Sequence, residues 1–259
     1  MLLALQIGFN ARAAVESVDM VRAGLIATQR PFEGRFGYFN LFEDSVDLAP
    51  ILNGLPDTRH IEQVVEKPFP TGRATHGAIE AVQRLIAGSK PDPASLTKIE
   101  VTVPPVAHAL VGRPAKSGME ANYARLCLAY CVARCLMHGS VRNSHFSETG
   151  LADKDALALA QRITVTTFDM EAPSAFGPSQ VTLGYADGHV ATTTIGRALG
   201  HPSNPVSEVQ REEKFLANCR AAATPLTEEV AHLLMHHLTH LDQLDDIAIL
   251  MEIACTPSE

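Results

Sequence analysis

The sequence has no tryptophan, and aromatic residues make up only 5% of its 259 positions. Platforms that stack sugars or single-stranded bases need exposed ring faces, so that scarcity disfavours both. Basic residues are in deficit too: 21 Lys and Arg stand against 29 Asp and Glu, for a formal net charge of −8. Nucleic-acid binding rests on neutralising phosphates with a cationic surplus, and no nucleic-acid partner is expected. Five cysteines do not make a disulfide framework, and the reducing cytoplasm is the simplest compartment. No apolar run approaches the length of about 18 residues that a membrane span needs. Met1 to Leu5 is apolar but lacks a basic leader and stops at Gln6, so no signal peptide is read.

What is present is an ordinary globular mixture, 46% hydrophobic and 19% charged. A chain of this length forms one or two domains and can bury roughly 70% of the surface it exposes when unfolded.

Residues 2–28 read as one helix or two short ones, with small and apolar side chains at Ala11, Ala13, Ala14, Val18, Val21 and Leu25 spaced for one face. PFEGRFGYFNLF is a turn region, and Asn53-Gly54 with Pro56 and Asp57 marks a loop. IEQVVEKPFP reads as a short strand entering a Pro-locked loop, and THGAIEAVQRLIAG as a helix stopped by Gly88. KPDPASL is a linker. TKIEVTVPP alternates as a half-buried strand. EANYARLCLAYCVARCLMHG gives the clearest helical pattern, and DKDALALAQRI is a further helix. RITVTTF, SQVTLGY and HVATTTIG are strands, the last two joined at Asp187-Gly188 as a hairpin. Helices follow in VSEVQREEKFLANC, LTEEVAHLLMHHLTHL and DDIAILMEI. The order is helical over 1–63, mixed α+β over 64–200, and helical over 201–259.

Four constellations bear on chemistry. Cys127, Cys131 and Cys135 share one helical stripe, but the outer two are about 12 Å apart along a straight helix, too far for one small cluster. Core packing is the expectation there. His232, His236 and His240 make a second stripe, without an acidic partner at a recognised spacing, and no metal site is expected. KPFPTGRATH places Lys67, Arg73 and His76 around a proline-stiffened loop just before a helix. A helix N-terminus with Lys and Arg suits carboxylates, and a partly desolvated Lys can act as a base. Solvated side chains on a loop are the plainer alternative. Tyr130 lies on the flank of the apolar stripe, either as a core tyrosine or as an acid at a cleft edge.

At these residues the chain resembles the MmgE/PrpD family, which includes 2-methylcitrate dehydratases of propionate catabolism, cis-aconitate decarboxylases and iminodisuccinate epimerases. KPFPTGRATHGAIEA corresponds to the family's K-P-Y-P-x-x-R-x-x-H-x-x-I-D-A segment. ARAAVESV with FEGRFGYFN, TKIEVTVPP, ANYARLCLAYCVARCLMHGSV, YADGHV and GHPSNPVSEVQREEKF match further segments in order. The resemblance implies an all-helical domain interrupted by an α+β lid, with the active site between them. It implies metal-independent chemistry, without a cofactor, on small di- or tricarboxylates. By position it implies Lys67, His76 and Tyr130 as catalytic residues and Lys67 and Arg73 as substrate-binding ones. A homodimer is expected, since family members commonly dimerise.

The departures shape the functional expectation. Family members carry a long helical stretch before the point matching residue 1, and that stretch supplies an Asp and two His to the active site. The helical domain is therefore expected to be truncated on its N-terminal side. The family's lysine before the small-residue helix is Gln6 here, and a helix-motif Ser is Cys127. Gly72 replaces a decarboxylase His, which disfavours decarboxylation. Dehydration of 2-methylcitrate or a similar tricarboxylate is the leading expectation. A non-catalytic remnant, one half of a split enzyme that recruits the missing N-terminal half, and a dicarboxylate epimerase are the alternatives.

Overall fold

A computed structural model describes residues 2–55, 59–170 and 176–255. The loop residues Pro56 and Asp57 lie outside that set. The chain divides into two compact units, residues 1–62 and 63–259.

In the first unit, α1 (Leu2–Arg22) is closed by Gly24, whose φ of +97° favours glycine. Two short helices follow, α2 (Tyr38–Phe42) and α3 (Ala49–Gly54). Residues 5–33 are all exposed.

The second unit is α+β. It opens with α4 (His76–Ile86) and β1 (Leu96–Val103). The Pro104-Pro105 pair that ends β1 also starts a helix, α5 (Pro105–Val111), because proline's fixed φ suits a first helical position. Next come α6 (Ala121–Ala124), α7 (Leu128–His138), α8 (Glu148–Leu151) and α9 (Lys154–Gln161). β2 (Thr164–Thr167) returns parallel to β1, and the hairpin β3 (Ser179–Tyr185) and β4 (Val190–Ile195) completes a sheet of order β2-β1-β3-β4. Val101 is the common register mark, opposite Val165 on one side and Val181 on the other.

Period-two alternation gives the sheet two unlike faces. Ile99, Val101, Val103, Val181, Leu183 and Ile195 are buried, and α4 packs on β3 and β4 while α7 joins α4 and α9 in the same layer. The opposite face is polar, with hydroxyl pairs such as Thr102–Thr166 and Thr182–Thr192, each at 3.0 Å. All of the described hydrophobic core cluster lies between Phe69 and Ile195.

The C-terminal helices α10 (Glu208–Arg220), α11 (Glu228–Thr239) and α12 (Ala248–Ala254) fall within this second unit. α10 starts with a reciprocal cap between Ser207 and Gln210.

Two expected elements differ. The segment before Lys67 is not a strand: Pro68 and Pro70 have no N–H to give a ladder, and Glu66 N–H bonds the Gly200 carbonyl instead. The helix expected across 121–137 is broken at 125–127, where Cys127 is extended (φ −99°, ψ 100°) and caps α7. The break is held from outside, since the Arg125 carbonyl accepts from Gly72 N–H at 2.9 Å and Cys127 bridges to Gly112.

Candidate functional site

The loop that presents Lys67 is held at Pro68, Phe69 and Pro70. Pro68 and Pro70 fix their own φ, and Phe69 is buried edge-on against the His76 ring, 5.3 Å between centroids. Arg125 Nη1 donates to the Pro70 carbonyl at 2.6 Å, and the Arg125 Cζ lies over the Phe146 ring, 4.6 Å from its centroid. A Cβ on Gly72 would come within 2.5 Å of Leu126 Cδ2, so a side chain there requires the leucine tip to shift.

Lys67 emerges from that loop into a cleft of about 870 Å³. The opposing walls are the 140–144 segment after α7 and one side of α10. They bring Arg142, Lys214 and Arg220 to the same cleft as Lys67, with Glu213 the one acidic side chain among the described lining residues. Such an excess of cations on a concave surface draws in anions, and arginines offer paired donors to carboxylates. Asn143 and Gln210 add polar groups to the lining.

Arg73 opens elsewhere. It lines a second cavity of about 600 Å³, which shares no lining residue with the Lys67 cleft. Its Nη2 donates to the Ala198 carbonyl at 3.3 Å, while Nη1 is buried with no hydrogen-bond partner. Burial draws the guanidinium pKa down, and the field of Glu80 opposes that.

His76 begins α4 and lines neither cavity. It is 0% exposed, and neither ring nitrogen has a hydrogen-bond partner. Burial, aided by the Arg73 charge, pushes its pKa down to about 3, so the ring is neutral.

Tyr130, expected by resemblance to face the cleft, is 1% exposed and lines neither cavity. Its hydroxyl lies 2.8 Å from the His145 carbonyl and 3.0 Å from that of Gly150, and accepts from Arg134 Nε at 3.0 Å. Burial raises the phenol pKa, and the group is a fully engaged structural hydroxyl. Of Lys67, Arg73, His76 and Tyr130, Lys67 alone reaches the larger cleft.

The cationic walls carried little local signal in the sequence. Lys214 belongs to the Lys-Phe pair that closes GHPSNPVSEVQREEKF, but Arg142 and Arg220 sit in unremarkable contexts. Glu80 is an acid inside the apolar run AIEAV and organises the neighbouring loop. Its carboxylate accepts from Leu199 N–H at 2.6 Å, from Asn204 Nδ2 at 3.1 Å and from Arg84 Nη2 at 2.6 Å.

The other constellations sit apart. Cys127, Cys131 and Cys135 are buried free thiols, and burial pushes the Cys135 pKa up to about 12. The rings of His236 and His240 meet at 4.5 Å between centroids, tilted by 38°, at the end of α11, and His232 stands 3.9 Å from both Glu212 and Glu228. Among the described residues, no three His, Cys, Asp or Glu side chains are grouped as a metal site would need, and no helix is long and apolar enough to cross a membrane.

No curated protein matches the chain. The family model described as the MmgE/PrpD C-terminal domain matches residues 69–240, a stretch that takes in the helix α4, the whole sheet and two of the three walls of the Lys67 cleft. The chain belongs to the MmgE/PrpD family.

Proposed function

We propose that this protein is a metal-independent lyase that dehydrates 2-methylcitrate or a similar small tricarboxylate, with the Lys67 cleft as its substrate-binding surface. The observation that carries the reading is the charge of that cleft: Lys67, Arg142, Lys214 and Arg220 face about 870 Å³. Carboxylates titrate near pH 4, so a tricarboxylate at neutral pH carries a charge of about −3, of the sign these cations attract.

In such a dehydration a proton leaves the carbon α to a carboxylate and a hydroxyl leaves the neighbouring carbon. One C–H and one C–O bond break, a C=C bond forms, and water is lost. Lys67, as an ammonium, is a proposed carboxylate clamp, and the proton taken from carbon leaves with the hydroxyl as water. The guanidinium and ammonium groups hold the carboxylates and offset the negative charge that builds up as the proton departs. Membership of the family supports an arrangement in which residues 64–200 act as a lid to a helical domain, and a cytoplasmic homodimer as the assembly.

Incubation with 2-methylcitrate, citrate and iminodisuccinate, followed by product NMR, tests the reading. Turnover of a tricarboxylate is expected. Turnover of iminodisuccinate alone replaces it with the epimerase reading, and neither turnover nor binding of any of the three overturns it. Lys67→Ala removes a charge-assisted bond and is expected to weaken tricarboxylate binding by about 1.5–3 kcal/mol, roughly ten- to a hundredfold. Unchanged affinity by calorimetry would place the carboxylate site elsewhere.

A further inference from the structure

The 140–144 wall of the Lys67 cleft is held from behind. Val141, His145 and Phe146 are buried, while Arg142, Asn143 and Ser144 between them are exposed and line the cleft. Arg142 is the cation of this wall. With its side chain in solvent, it is placed chiefly by its backbone, and that backbone is bonded to a buried ring. His145 Nδ1 accepts from the Arg142 N–H at 3.2 Å. Arg142 is extended (φ −125°, ψ 164°) and caps the 3-10 turn Asn143–Phe146, so His145 reaches back to the cap residue, a part usually played by Glu or Gln.

The protonation of that ring follows from its partner. A backbone N–H can only donate, so Nδ1 is the bare nitrogen and the ring proton sits on Nε2. Burial, with His138, Arg134 and Arg142 nearby, pushes the His145 pKa down to about 4 against the opposing field of Asp153, so the acceptor is kept at neutral pH. His138, from α7, stacks on the ring at 4.8 Å between centroids and 28° between planes. Arg134 Nη1 holds His138 in turn, 3.4 Å from its Nε2, and is itself 2.6 Å from Asp153 Oδ2. Tyr130 meets His145 at its carbonyl and takes no part in the bond to Arg142. At Asn143 the same wall is tied to the Lys67 loop, because Arg125 Nη1 donates both to Asn143 Oδ1 at 3.3 Å and to the Pro70 carbonyl.

We propose that His145 is a positioning residue for the carboxylate site, acting by holding the Arg142 backbone so that the guanidinium is presented to the same cleft as Lys67. The inference rests on the reading of that cleft as the carboxylate-binding surface. His145 does not line the cleft. Its contribution is preorganisation: an exposed segment already fixed before the ligand arrives need not be ordered on binding.

Citrate is the probe, titrated by calorimetry into the full chain at about pH 7.5 and low salt, where its carboxylates are ionised. Affinity is expected to fall about tenfold in His145→Leu and to return in His145→Asn, whose Oδ1 replaces Nδ1 as the acceptor. In an Arg142→Gln background His145→Leu is expected to add no further loss, since residues acting through one contact are not additive. The Arg142 amide gives a readout that needs no ligand: its hydrogen exchange should be about tenfold faster in His145→Leu and slow again in His145→Asn. If His145→Leu does not fold, His145→Gln, whose amide falls at the Nε2 position, is expected to show the same losses. Wild-type affinity in the loss variant, or an equal loss in the Arg142→Gln background, overturns the proposal. A wild-type chain that binds no citrate removes the carboxylate reading of the cleft, whereas unchanged exchange at the Arg142 amide removes the positioning role of His145 whether or not citrate binds.

Discussion

His76 is where acidity should act on this molecule most directly. Its ordinary pKa of 6.5 is pushed down to about 3 in the fold by burial and by Arg73. A histidine held neutral in this way contributes its full stability above pH 6.5 and loses it as pH falls from 6.5 towards 3, since the unfolded chain takes up the proton first. At about pH 5 the loss is about 2 kcal/mol. His145, pushed down to about 4 by burial and by its stacked neighbour His138, adds a loss in the same direction. Urea unfolding at about pH 7 and about pH 5 should show this, and His76→Leu should remove about half of it. A difference that survives His76→Leu intact would assign the acid sensitivity to other groups. Tyr130 yields a second prediction at this scale. Tyr130→Phe leaves Arg134 Nε and one of two backbone carbonyls short of a partner in a buried network, a cost of about 1–3 kcal/mol. Because the hydroxyl lies outside both cavities, tricarboxylate affinity should be unchanged in a variant that remains folded.

Between elements, Glu80 fastens the 197–204 segment to α4 by accepting from Leu199 N–H and Asn204. Gly200 completes that junction: its φ is +87°, and a Cβ there would collide with the Glu66 carbonyl oxygen. Glu80→Ala should raise the amide exchange rate at Leu199 while that at Val181, in the centre of the sheet, stays slow. Equal acceleration at both positions would mean that the carboxylate supports the whole unit rather than one segment. The strands β1, β3 and β4 and the helices α9 and α10 were legible in the sequence because their signals are local: alternation, an Asp-Gly turn and helical patterning. The break at Cys127 was not, because what holds Arg125 and Cys127 out of the helix is the backbone of Gly72 and Gly112, far away in the chain. The same reason governs the site. Lys67 could be picked out from its proline-locked loop, whereas Arg142, Lys214 and Arg220 become neighbours only when the 140–144 segment and α10 meet that loop. Arg73 stands six residues from Lys67, yet the 3-10 turn that begins with it sends its side chain to a different cavity.

At the scale of the whole chain the two units differ in what they bury. The second contains the described core, from Phe69 to Ile195. The first leaves large apolar side chains in solvent, among them Phe9, Val18, Val21 and Leu25, with Ile26 92% and Phe36 77% exposed. Burying one such side chain contributes about 1.5–3 kcal/mol, so six of them covered by a partner surface would contribute roughly 9–18 kcal/mol, comparable to the stability of an entire domain. Apolar surface of that extent marks an interaction site or an aggregation hazard. A homodimer is the proposed form in which residues 1–62 are covered. Light scattering on the full chain should then report a species larger than one copy, with a hydrophobic dye binding increasingly as the protein is diluted. A chain beginning at Gln63, which keeps the core, should be a monomer that unfolds cooperatively and binds little dye. If the full chain is instead a compact monomer that ignores the dye, the exposed side chains of residues 1–62 are covered from within the same molecule, and the dimer proposal fails.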